Sequence, residues 1–235
     1  MDEQEGREDI GQLGEQIPWA MQLVVYRDRH LPAREVDVCE AAARAVVRVL
    51  DDPRSQPGGP WYESVKHWSD GRIRKLVRRA DGKRWTDVQE LDGVTVIQPG
   101  ARGYGEARVR AFVPGPVRPL VKALDKLQVS GTHFPPEGLS LATTALAVVE
   151  VTPHEDMTSG KLAAQCGHAA QGLYELADAA QRASWRADDF RVEVRHPGAG
   201  QWDRSSRQVS IVDAGFTELD GPAETTRASW RASLR

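Results

Sequence analysis

Three polar side chains fall in a row on one stretch of this sequence. Lys161, Gln165 and His168 are spaced i, i+4 and i+7, which in a helix places them on one face. The row begins beside Thr158, Ser159 and Gly160. The two hydroxyl residues are natural N-caps, and the glycine lets another group approach the backbone closely. A lysine in a first helical turn meets the positive end of the helix dipole, a poor place for a cation unless an anion joins it. The set suits an anion or oxyanion site built from N-terminal amides and an ammonium. An exposed lysine reaching into water is the plainer alternative. It is not a Walker-type phosphate loop, because HEDMTSGKL lacks the leading glycine and Leu162 follows the lysine. Asp213 ends the apolar run VSIVD, and a carboxylate at the carboxyl edge of a strand points toward the usual ligand crevice of an α/β sheet. Thr217 follows four residues on and could return a hydroxyl to the same spot, although Asp213 alone also suits a turn. Cys166 and His168 lie two apart on the helix and do not face each other, so a Cys–His nucleophile pair is not expected. Cys166, His168, His154 and His196 have no zinc spacing. No GxSxG and no dinucleotide-type GxGxxG occur.

These residues need a strand and a helix to hold them, and the chain offers such a pair twice. MQLVVY (Met21 to Tyr26) is followed by an alanine-rich helix from Arg34 to Leu50. LAVVEV (Leu146 to Val151) is followed by a helix from Ser159 to Ala180. CEAAARA sits over CGHAAQG when Cys39 is laid on Cys166, and GVTVIQPG over QVSIVDAG when Gln98 is laid on Asp213. In the first copy Arg34 then stands for Lys161, Ala41 for His168 and Gln98 for Asp213. Each copy reads β-α-β-α-β-β, with RIRKLVRR and FRVEVR as further strands. The last strand (ARVRAFV, and a short one near ETTRASW) reads as an antiparallel edge. The expected class is α/β: two tandem three-layer α/β/α units, each a four-stranded mixed sheet flanked by helices, packed as a pseudo-dimer within one chain. The expected boundaries are an acidic tail at 1–16, a first unit at 17–129, a Pro/Gly/Ser-rich linker at 130–144 and a second unit at 145–235.

The net charge of −3 over 235 residues excludes a uniformly basic nucleic-acid protein. The charge is unevenly placed, however. Between Lys66 and Lys126, 14 lysines and arginines face 7 acids, densest around Arg72, Arg74, Lys75, Arg78 and Arg79. That is either a solvated strand-and-helix edge or a footprint for phosphate. No run is long and apolar enough to span a membrane, and the acidic start does not read as a secretory signal. Two cysteines are too few for a disulfide framework, so a cytoplasmic location is expected.

MTSGKLAAQCGHAAQG and VSIVDAGFTEL together resemble the glycine–lysine helix motif and the Asp-Ala-Gly-x-Thr motif of the second (archaeal and eukaryotic) type of peptidyl-tRNA hydrolase. The resemblance covers the second copy, with Trp185 and FRVEVR between the motifs in the family's order. It implies hydrolysis of the ester joining a peptide to tRNA, with tRNA as partner and no metal or organic cofactor. It also implies site roles for Lys161, Gln165, His168, Asp213 and Thr217. Ser159, Gly160, Arg72, Arg74, Lys75, Arg78 and Arg79 are the expected substrate-binding residues. Members of the family commonly pair as homodimers, which leaves a monomer with an internal pseudo-dimer or a homodimer. The first copy keeps AFVPGPVRPLVKALDKLQV, similar to the family's closing strand, turn and last helix, whereas the second copy ends without it. A non-catalytic RNA-binding or scaffold protein of the same fold, and a hydrolase of another acyl ester or amide, are the competing expectations.

Overall fold

A computed structural model describes residues 17–215 and 218–231. The acidic segment 1–16 and Thr217 lie outside the described residues. The run WAMQLVVY forms β1 (Trp19–Tyr26), whose six inner residues are all buried, as expected for an apolar strand inside a sheet. After it come α1 (Glu35–Asp51), α2 (Tyr62–Asp70), β2 (Lys75–Ala80), α3 (Gly82–Val88), β3 (Gly93–Gln98) and β4 (Ala107–Phe112). A two-residue strand, β5 (Gly115–Pro116), and a single helical turn, α4 (Lys122–Asp125), follow. The second series is β6 (Ala147–Val151), α5 (Ser159–Leu176), α6 (Ala179–Ala187), β7 (Val192–Arg195), α7 (Ala199–Asp203), β8 (Val209–Asp213) and β9 (Ala223–Trp230).

The fold is α/β with two mixed sheets of one topology. Their strand orders are β2-β1-β4-β3, to which β5 adds beside β1, and β7-β6-β9-β8. In each, the first two strands are parallel and the remaining pairs antiparallel. Several finer expectations are corrected. Each half carries a second helix before its second strand, so the order is β-α-α-β-α-β-β. The helix expected to reach Ala180 stops at Leu176, where Ala177 turns extended and Asp178 restarts the chain with a capping box to Gln181. The last strand of each half is not an edge. β4 and β9 insert between two neighbours, and β3 and β8 lie outside them at an edge, where Ile97 and Val212 are exposed. β9 is a strand of eight residues rather than a short one, and β2 starts at Lys75 rather than Arg72. The last helix implied by the resemblance is only the one turn of α4.

The helices α1 and α5 pack on each other between the two sheets, and one apolar core takes residues from both halves. Alanines at 41, 42, 45, 163, 169 and 170, all fully buried, let the helix pair and the sheets approach closely. The Ser159 hydroxyl donates to Glu35 at 2.5 Å and the Tyr174 hydroxyl to Asp51 at 3.0 Å. Start therefore meets start and end meets end, so the helices run in the same direction. Between these ends the Cys39 thiol meets the Cys166 thiol, and these two positions correspond in the repeat. Contact between equivalent positions is what a two-fold arrangement produces. Residues 130–144 hold no helix or strand yet are bound into this junction. The Thr132 carbonyl accepts from the Gly160 amide at 3.3 Å, the Phe134 amide donates to Ser159 Oγ at 2.9 Å, and Arg34 reaches the Leu139 carbonyl at 2.8 Å. Farther out, Trp185 is fully buried edge-on against Phe190 and Trp230. Its indole N–H donates to the Arg191 carbonyl at 2.9 Å, which ties α6 to the chain entering β7.

Candidate functional site

The alternation of β8 and the face of α5 bring Lys161, Gln165 and Asp213 together. Lys161 Nζ lies 2.5 Å from Asp213 Oδ2, and Gln165 Nε2 donates to the same oxygen at 2.8 Å. The Gly215 amide donates to Asp213 Oδ1 at 2.9 Å. Gly215 has φ +75°, and a Cβ there would lie 2.5 Å from the Gly221 carbonyl carbon, so this turn requires glycine. Burial raises the Asp213 carboxyl, but Lys161, the Gly215 amide and Gln165 outweigh it and hold the group below the usual carboxylate range. Gln165 is itself fixed. Thr225 Oγ1 donates to its Oε1 at 2.9 Å, and this leaves the amide nitrogen for Asp213. Thr225 is fully buried in β9 and was not singled out from the sequence. Its signal was a polar residue at a central-strand position, hidden because β9 was read as a short edge.

His168 lies one turn further along α5. Its Nδ1 sits 3.1 Å from Nζ of Lys75, which comes from β2 of the first half. Lys75 also donates to Gln171 Oε1. Burial, then Lys75 and Lys161, push the His168 imidazole well below the usual histidine range. Burial likewise brings Lys75 down to about 7, opposed by Glu175.

A cavity of about 750 Å³ opens over this group. It is lined by Gly160, Lys161, Gln165, His168 and Asp213 of the second half and by Arg72, Arg74 and Lys75 of the first. Several expected roles fall elsewhere. Ser159 is 1% exposed and spends its hydroxyl on Glu35 and the Phe134 amide. The amide of Gly160 goes to the Thr132 carbonyl, and that of Lys161 to the Thr158 hydroxyl at 3.3 Å. The amides of Gly160 and Lys161 therefore have partners within the chain, and Lys161 presents its ammonium to Asp213. Arg78 lies on the opposite face of β2 from Lys75, as strand alternation requires; there it donates to Gln22 Oε1 and the Leu127 carbonyl. Arg79 is spent on the Ser130 and Gly131 carbonyls and on Gln128. Glu218, absent from the expectations, accepts from the Thr158 amide at 3.1 Å and hydroxyl at 2.8 Å at the cavity rim.

The corresponding positions of the first half hold no such group. Arg34 is 3% exposed and paired with Asp37. Gln98 accepts from Arg44 at 3.0 Å and donates to Glu40. Among the described residues no cluster of His, Cys, Asp or Glu could hold a metal ion, and no helix is long and apolar enough to cross a membrane. Comparison with protein-family models, with curated proteins and with solved structures gives no match.

Proposed function

We propose that the chain hydrolyses the ester bond of peptidyl-tRNA in the cavity between its two halves. The observation that carries this reading is the convergence of Lys161, Gln165 and Asp213, with His168 beside them, on a cavity that Arg72, Arg74 and Lys75 also line. Water held by Asp213 attacks the ester carbonyl. The new C–O bond forms, the carbonyl oxygen takes up negative charge, and the bond to the ribose oxygen then breaks, with the water's proton passing to that leaving oxygen. Lys161 is placed to stabilise the developing oxyanion. Its departure from Asp213 toward that oxygen would release the carboxylate from the ion pair and restore its basicity, so substrate binding and base activation are linked. Gln165, held by Thr225, keeps Asp213 oriented throughout. Arg72 and Arg74 are suited to tRNA phosphates, whose contribution to affinity falls with salt. By the resemblance Thr217 belongs to this set.

A second reading is favoured by one observation. Asp213 already has Lys161, Gln165 and an amide as partners, which suits a non-catalytic RNA-binding module as well as a resting enzyme. The two separate on incubation with N-blocked aminoacyl-tRNA. The hydrolase reading expects release of the blocked amino acid, lost in Lys161→Ala and in Asp213→Asn. Salt-sensitive binding without release would favour the binding module.

A further inference from the structure

We infer that Lys75, supplied by the first half of the chain, is the positioning residue for His168, holding it as a neutral imidazole with its proton on Nε2, a hydrogen-bond donor in the cavity. The geometry is one of a side chain routed across an interface. Lys75 leaves β2, passes over α5 at Gly167 and ends between His168 Nδ1 at 3.1 Å and Gln171 Oε1. A Cβ at Gly167 would stand 3.3 Å from Lys75 Cδ and 3.1 Å from Val46 Cγ2. Glycine inside a helix costs about 1 kcal/mol relative to alanine, and here it opens the path for the lysine stem and for α1. The Trp68 ring, with its centroid 5.0 Å from Nζ, closes the other side.

An ammonium has no lone pair and can only donate. Below about pH 7, where Lys75 is charged, Nδ1 of His168 must therefore accept, which leaves the ring proton on Nε2. Among the described residues Nε2 has no hydrogen-bond partner, although His168 lines the cavity. The charged groups around the ring are Lys75 from β2 and Lys161 from α5 itself, both opposing a positive imidazole. Glu175 acts on Lys75 from the end of α5, Asp213 of β8 is engaged by Lys161, and Arg72 and Arg74 line the same cavity. The first half, whose own equivalent positions are filled by Arg34, Ala41 and Gln98, thus supplies Lys75 to His168 of the second half. The inference rests on reading the cavity as the place of chemistry, while the state of His168 can be measured without turnover.

The test uses the full chain with 15N-labelled histidine, its ring nitrogens followed as the pH falls from about 8 to about 5. His168 in the wild type is expected to stay neutral, with the proton on Nε2 once Lys75 is charged below about pH 7. In Lys75→Met it is expected to lose that tautomer preference and take up its second proton at a higher pH than in the wild type, while its burial and Lys161 still hold it below an ordinary histidine. Turnover of N-blocked aminoacyl-tRNA in that variant is expected to drop at least ~10-fold in kcat with KM changed less than ~2-fold. An ordinary titration of His168 in the wild type, or one unchanged by Lys75→Met, would overturn the inference. The wild-type curve decides alone if the variant does not fold. A wild type that releases no amino acid while Lys75 holds His168 neutral would sink the hydrolase reading and leave this one standing. Hydrolysis with a freely titrating His168 would do the reverse.

Discussion

Glu40 is a fully buried acid at the junction of the two halves. From α1 it accepts the Val194 amide of β7 at 3.0 Å and the Gln98 side chain. Burial lifts its pKa from 4.5 to about 7, more than its hydrogen bonds lower it. In the folded chain the proton is held more tightly than in the unfolded chain. The stabilisation is therefore complete below about pH 4.5, erodes as the pH rises and is gone above about pH 7. A shift of about 2.5 units corresponds to roughly 3 kcal/mol, at 1.36 kcal/mol per unit. Glu40→Gln removes the charge but turns one acceptor oxygen into a donor, which costs about 1 kcal/mol for the lost hydrogen bond. The variant should thus be more stable than wild type by about 2 kcal/mol at pH 8, and less stable by about 1 kcal/mol at pH 4.5. Urea unfolding at a series of pH values measures this. A difference of constant sign and size across that range would refute the assignment of Glu40 as a buried acid joining the halves.

Four further expectations follow from the site. Thr225→Val removes the hydroxyl that fixes Gln165 and should cost about 1 kcal/mol in chemical denaturation, with a severalfold fall in turnover. Gly215→Ala places a methyl against the Gly221 backbone at a positive φ; a loss of about 1–3 kcal/mol is expected, seen as a lower thermal midpoint. Arg72→Ala should flatten the salt dependence of tRNA binding by about one unit of the log–log slope, read by filter binding or anisotropy. Arg78→Ala should leave that slope unchanged, because Arg78 is turned into the opposite face of its sheet.

Features set by local periodicity were legible before the structure. The apolar runs of β1 and β6, the alanine-rich helices and the row of Lys161, Gln165 and His168 depend on spacing along one segment. Asp213 was placed by its position at the end of an apolar strand, and it does meet Lys161. The short helices α2 and α6 were missed because they bury only two and one residues respectively, which leaves little periodic signal. Asp178 and Gln181 did spell a capping box in the sequence, and reading it would have ended α5 in the right place. The central positions of β4 and β9 follow from strand order, which the chain order conceals. The destinations of the basic residues needed the packing of the two halves. Lys75 and Arg78 look alike in sequence, yet one passes under His168 and the other is sealed on the far side of the sheet. Ser159 looked like part of an anion site, but its hydroxyl meets Glu35 of α1, a contact between residues 124 apart in the chain.

The most direct test is the release of a blocked amino acid from N-blocked aminoacyl-tRNA by the full chain, with Lys161→Ala and Asp213→Asn measured beside it under conditions where circular dichroism shows all three folded. Release by the wild type, lost in both variants, is the expected result and would locate the chemistry at the Lys161–Asp213 pair. Equal release by wild type and variants, or none from the wild type, would contradict it.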